Sequence, residues 1–214
     1  GELLARYYPT RLLAGRTSDG HLISLDSIGR ADAAAIFREL GEERLHVFFR
    51  HWFELRCLWM DRESERYGRL VQNLQVKDLS GLALAVVLSS DGRNGIALVR
   101  QVLSIAISYY PESALKLIVV NAPPFFTLVW RAVETVLSPR TAAKVRIFGS
   151  SGFEAELRRH IDAGTLSKLR LGFDLPTNEQ ADSQLVEDAS GTSATPVDGA
   201  QRAHGRHYAD GRGQ

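Results

Sequence analysis

The chain has one cysteine, Cys57, in 214 residues, so it can form neither a disulfide framework nor a thiolate cluster around a metal. A reducing, cytoplasmic setting fits that scarcity. Charge of one sign is also lacking: 26 basic side chains stand against 25 acidic ones, a formal net charge of +1. The broad positive field that draws proteins onto nucleic acid is therefore missing, and no nucleic-acid partner is expected. No apolar run reaches the roughly 18 residues of a spanning helix, and no basic stretch leads into a short apolar core as in a secretory leader. Any membrane contact is expected to be peripheral. The first residue is Gly1 rather than Met, which reads as a processed or excised piece of something longer. No segment repeats at a fixed period.

What is present is an ordinary supply of apolar side chains, 44% of residues, enough for one core in a chain of this length. The turn residues SDG at 18–20 lead into HLISLD at 21–26, which predicts a short strand. From 31 to about 60 the apolar spacing becomes three and four, with Leu45, Phe48, Phe49, Trp52, Leu55 and Trp59 on one helical face. RLVQNLQVKD at 69–78 alternates as a half-buried strand does, with Leu70, Leu74 and Val76 on one side and Asn73, Gln75 and Lys77 on the other. A helix is expected to follow, ending near residue 110. ALKLIVVN at 114–121 is β-prone and stops at the breaker NAPP, so it predicts an interior strand. The stretch 125–137 predicts a helix, VRIFG at 145–149 a strand and 152–160 another short helix. Strands separated by helices imply an α/β fold with crossover connections. Beyond about residue 175 the composition turns to Ser, Thr, Gly, Asp and Gln with few large apolar side chains. A folded domain over 1–175 and a disordered polar tail over 176–214 are therefore expected.

From Tyr109 onward, YYPESALKLIVVNAPPFFTLVWRAVETVLSPRTAAKVRIFGS resembles the central block of CRAL-TRIO domains, in the phosphatidylinositol transfer protein type. The shared order is a YYPE turn, a strand ending in NAP, an amphipathic helix, a proline-led basic segment and a strand ending in GS. The stretch 7–29 and the element KDLSGL at 77–82 resemble the family's early strand region and its D-L-x-G-L element. The resemblance covers roughly residues 7 to 175. It implies a mixed, mainly parallel sheet flanked by helices, with an apolar lipid pocket closed by a gate helix. It also implies a carrier that binds a phospholipid or other hydrophobic small molecule, with no cofactor, and that exchanges or presents it at cytosolic membrane surfaces.

In the helix that resembles the gate, Phe125, Phe126, Val129, Trp130 and Val133, with Val136 and Leu137, form one apolar stripe opposite Thr127, Arg131 and Glu134. Periodicity alone reads that stripe as core; the resemblance makes it a gate and a pocket wall. The resemblance further implies that Glu112, Thr141 and Lys144 hold an inositol phosphate. A carboxylate accepts from inositol hydroxyls, whereas a hydroxyl and an ammonium donate to phosphate oxygens. A second headgroup site of the family, for choline phospholipid, falls on Asn73 and Gln75, where amides replace the usual hydroxyls.

GSSGF at 149–153 misses the G-x-S-x-G nucleophile elbow by its fifth residue, and Ser151 with Glu154 reads as a capping box. SSDGRNG at 89–95 lacks the Gly-Lys-Ser/Thr ending of a phosphate loop and reads as a surface turn. No set of nucleophile, base and orienting group emerges, so no enzymatic activity is expected. The alternative function for the same residues is a CRAL-TRIO-like interaction scaffold of a larger signalling protein, with small GTPases or membranes as partners.

Overall fold

The structure is a computed structural model and describes residues 6–110 and 112–171; the tail expected over 176–214 lies outside the described residues. Strand β1 (Thr10–Arg16) pairs antiparallel with β2 (Leu22–Asp26). Strands β3 (Asn73–Asp78), β4 (Ala114–Val120) and β5 (Val145–Ile147) then join in parallel, so the order across the sheet is the order along the chain. The helices that connect and cover them are α1 (Ala33–Tyr67), α2 (Leu84–Leu88), α3 (Ser90–Tyr109), α4 (Phe126–Glu134), α5 (Pro139–Ala143), α6 (Phe153–Leu157) and α7 (Ala163–Leu169), with a short 3-10 turn at Ile28–Arg30.

The two faces of this sheet differ in chemistry. On one, Ile23, Leu25, Leu74, Val76, Ile118 and Val120 pack against Leu157, Ile161 and Leu169 from the α6–α7 side. On the other, the register aligns Leu22 with Asn73, Ser24 with Gln75 and Asp26 with Lys77, so polar side chains alternate with the aliphatic ones. Helix α1 lies on this second face, where Met60 packs with Leu22 and Val71. Helix α3 packs on α1, and α4 packs on α3.

Several expectations are corrected. The edge strand β1 carries no strict alternation and was not anticipated; it forms because β2 offers it an antiparallel partner. Strand β3 is covered on both sides rather than half-buried: Asn73 is fully buried, while Leu70 lies before the strand and is exposed. In α1 the positive φ of Gly41 interrupts the helix, and beyond it the inward face differs from the one expected. The buried row becomes Leu45, Phe53, Arg56, Met60 and Glu63, and Leu55 turns to solvent.

SSDGRNG is not a surface turn. Ser89 caps α3 by accepting from the Gly92 amide at 3.0 Å, and Gly92 and Gly95 lie inside the helix. A Cβ at Gly92 would overlap the carbonyl oxygens of Val86 and Val87, so the tight α2–α3 joint requires glycine there. Ser151 and Glu154 do not form a capping box either, because α6 starts from Gly152 in the left-handed region with no side-chain cap.

Candidate functional site

Glu112 stands just before β4 with a φ of 60°, a conformation that a residue with a side chain adopts only where its surroundings hold it. Its carbonyl accepts from Gln72 Nε2 at 2.6 Å, and the next carbonyl, of Ser113, accepts from the Asn73 amide at 2.9 Å. The approach to β4 is thereby tied to the start of β3. The Glu112 carboxylate faces two cations: Lys144 Nζ lies 3.2 Å from Oε2 and Arg140 Nη2 lies 2.9 Å from Oε1.

Both cations come from the segment around α5, and local rules place them. Ser138 caps the helix by accepting from the Thr141 amide at 3.1 Å, and Pro139 occupies the first turn, where its missing N–H costs nothing. Arg140 and Lys144 are then four residues apart, one helical turn, and point the same way. Lys144 also donates to the Ala114 carbonyl at 2.8 Å. The Thr141 hydroxyl pairs with Ser138 Oγ at 2.9 Å, so its hydrogen bond is local.

Of the three residues expected at the headgroup, Glu112 and Lys144 therefore touch, and Thr141 sits on the same turn beside them. Arg140 was missed. Its four-residue spacing from Lys144 after a proline-led start was the available signal. The arrangement holds two cations around one carboxylate, all partly exposed, which suits an anionic oxygen-rich group arriving from solvent.

Asn73 and Gln75 lie elsewhere. Asn73 is completely buried, donating from Nδ2 to Ser24 Oγ at 3.0 Å, and its Oδ1 has no hydrogen-bond partner among the described residues. Gln75 is half-buried two residues along the same face, opposite Ser24. Neither joins the Glu112 cluster.

Helix α4 spans Phe126–Glu134, shorter than the expected 125–137. Its stripe has the expected sidedness: Val133 is buried, Phe125, Phe126, Val129 and Trp130 are half-buried, and Thr127, Arg131 and Glu134 face out. Leu128 breaks the pattern with 65% exposure. Beside it runs an apolar groove of about 230 Å³, lined by Leu84, Val87, Leu88, Ile96, Phe125 and Leu128, among others. Ligand pockets generally measure about 300–1,000 Å³, so a two-chain lipid needs this groove to widen.

The chain matches the family described as CRAL/TRIO domain over residues 7–169. It is 27% identical over 168 residues to the SEC14 cytosolic factor of Kluyveromyces lactis, covering 78% of this chain and 54% of that protein. It is 22% identical over 156 residues to the phosphatidylinositol/phosphatidylcholine transfer protein SFH7 of Arabidopsis thaliana, covering 71% of this chain and 27% of that one. The chain thus spans about half or less of the length of these relatives. Among solved structures it is similar to the crystal structure of Sfh5, with a TM-score of 0.55 and 17% identity over 88% of this chain and 65% of the other.

Proposed function

The chain belongs to the CRAL/TRIO domain family, and from that premise we propose that it binds and transfers or presents a phospholipid with a phosphatidylinositol-type headgroup at cytosolic membrane surfaces. The observation that carries this reading is the Glu112–Arg140–Lys144 cluster. The cluster precedes β4, whereas the helix that borders the groove follows it, and the strand's 7 residues span about 23 Å. A phospholipid reaches about 20–22 Å, half of a bilayer with its headgroup layers. A headgroup at the cluster with acyl chains along β4 toward the groove therefore fits the dimensions. Phosphate oxygens accept from Lys144 and Arg140, inositol hydroxyls donate to Glu112, and Thr141 supplies a further hydroxyl. Helix α4 acts as the gate, with Phe125, Phe126, Val129, Trp130 and Val133 as its apolar side. No bond is made or broken in this cycle.

Vesicle-to-vesicle transfer of labelled phosphatidylinositol, with a neutral sterol in parallel, tests the assignment. Lys144→Ala removes a charged hydrogen bond of about 1.5–3 kcal/mol, which lowers phosphatidylinositol affinity roughly ten- to a hundredfold and leaves the sterol unaffected. Glu112→Ala shifts the same arm in the same direction. Variants that fold normally and carry phosphatidylinositol as the parent does would remove the headgroup assignment.

A further inference from the structure

Apolar spacing reads one face of α1 as core, yet the domain leaves part of that face open. Leu55 keeps 47% exposure, and Val47 and Leu58 on the adjoining strip keep 52% and 64%. Phe48, Trp52 and Trp59 border them half-buried, with the Phe48 and Trp52 rings stacked at 5.6 Å. The row that faces the domain, Leu45, Phe53, Arg56, Met60 and Glu63, lies on the other side of the helix. Single exposed apolar side chains are ordinary, but a contiguous strip rimmed by charge marks an interaction surface.

The strip carries the pattern of a helix pair. Arg44, Val47, His51, Glu54, Leu58 and Asp61 follow one another at steps of three and four, and all are exposed. That is the spacing of a seam between two helices. Its order is self-complementary from either end: Arg44 and Asp61 stand outermost, Val47 and Leu58 inside them, His51 and Glu54 at the centre. Glu54 also accepts from the Tyr110 hydroxyl. Among the described residues no salt bridge occupies Arg44 or Asp61, so both charges are available to a partner.

We propose that this face pairs with the same face of a second copy of the chain, antiparallel, about a two-fold axis that crosses α1 between Trp52 and Phe53. That axis sets Arg44 against Asp61 of the second copy, Val47 against its Leu58 and His51 against its Glu54, and symmetry makes each contact twice. Phe48 and Leu55 lie on one flank of the seam and add apolar contact across it. Charge excludes the parallel arrangement, which sets Arg44 on Arg44 and Asp61 on Asp61. From Arg44 to Asp61 the strip is about 26 Å long and about 10 Å wide, well below the roughly 800 Å² per partner of a standard interface. The dimer is therefore weak and forms at high protein concentration. None of these residues lines the apolar groove or belongs to the Glu112 cluster, so the inference stands independently of the carrier reading.

Sedimentation velocity of the 214-residue chain, from micromolar to near-millimolar concentration, tests this pairing. The parent's sedimentation coefficient rises with concentration toward that of a dimer. Arg44→Asp and Asp61→Arg each set like charges together at both ends of the seam and weaken association roughly tenfold or more. Both positions are exposed, so the melting temperatures stay at the parent's value. An equimolar mixture of the two variants regains the parent's association, because each Arg44→Asp chain then meets an Asp61→Arg chain and opposite charges face each other again. Leu58→Glu places a carboxylate in both apolar layers and abolishes pairing, and it serves if either charge variant does not fold. A parent that stays monomeric throughout, or a mixture that associates no better than its components, would overturn the proposal. So would a dimer that survives Leu58→Glu, since the contact would then lie on another face. A monomeric parent that co-sediments with phosphatidylcholine vesicles, and loses this in Leu58→Glu, would assign the strip to a lipid surface instead.

Discussion

If α4 is a gate, it opens without the rest of the domain unfolding, and two conservative substitutions separate local from global opening. The helix has 9 residues, fewer than the roughly 12–15 that an isolated helix needs to be even marginal in water, so packing holds it in place. Val133 is its one buried side chain. Val133→Ala removes two carbons at about 0.8 kcal/mol each, roughly 1.6 kcal/mol, or slightly more than tenfold in any opening that exposes this side chain. Ile118 is fully buried in β4 on the opposite face, and Ile118→Val costs about 0.5–1.5 kcal/mol. Amide hydrogen exchange then distinguishes the routes. In Val133→Ala, amides of α4 and of β4 both exchange faster, because both openings release Val133. In Ile118→Val, the β4 amides accelerate while the α4 amides keep the parent rate, because local opening leaves Ile118 packed. Equal acceleration of α4 and β4 in Ile118→Val would mean that α4 opens only by global unfolding, and the gate would be refuted.

Two further outcomes follow from the geometry. Gly92→Ala drives a methyl group into the Val86 and Val87 carbonyls, and Ser89→Ala removes the α3 cap at about 0.5–2 kcal/mol; thermal melts should rank Gly92→Ala as the more damaging, and the reverse order would contradict the tight α2–α3 joint. Stability should also fall as pH drops through the histidine range. Burial and then Lys116 lower the His160 pKa, and burial and then Arg69 lower that of His21. Lys116 Nζ sits 3.2 Å from His160 Nε2, and the Gln72 amide donates to His21 Nδ1 at 2.9 Å, so both rings are needed neutral. With folded values below the unfolded value of about 6.5, the unfolded chain binds the extra protons. Stability is complete above that pH and declines below it. His160→Gln should flatten the decline in melting temperature between pH 7 and 5; an unchanged slope would assign it to other groups.

Local pattern sufficed for much of the fold. The runs that became β2, β4 and β5 announce themselves by β-branched composition and breakers, and the stripe of α4 by its spacing, because the 2.0 and 3.6 periods are properties of the backbone alone. The expectation for Glu112, Thr141 and Lys144 had a different source, the resemblance to CRAL-TRIO domains, because no periodicity of the backbone marks a headgroup contact. What lies opposite each element was not legible. The strand β1 exists through its partner, and α1 turned Arg56 rather than Leu55 inward through what packs against it. Arg140 reached Glu112 across 28 positions of sequence, and the amides of β3 read as a solvent face until α1 covered them. Burial depends on contacts between residues distant in sequence. It is decided only when the layers close.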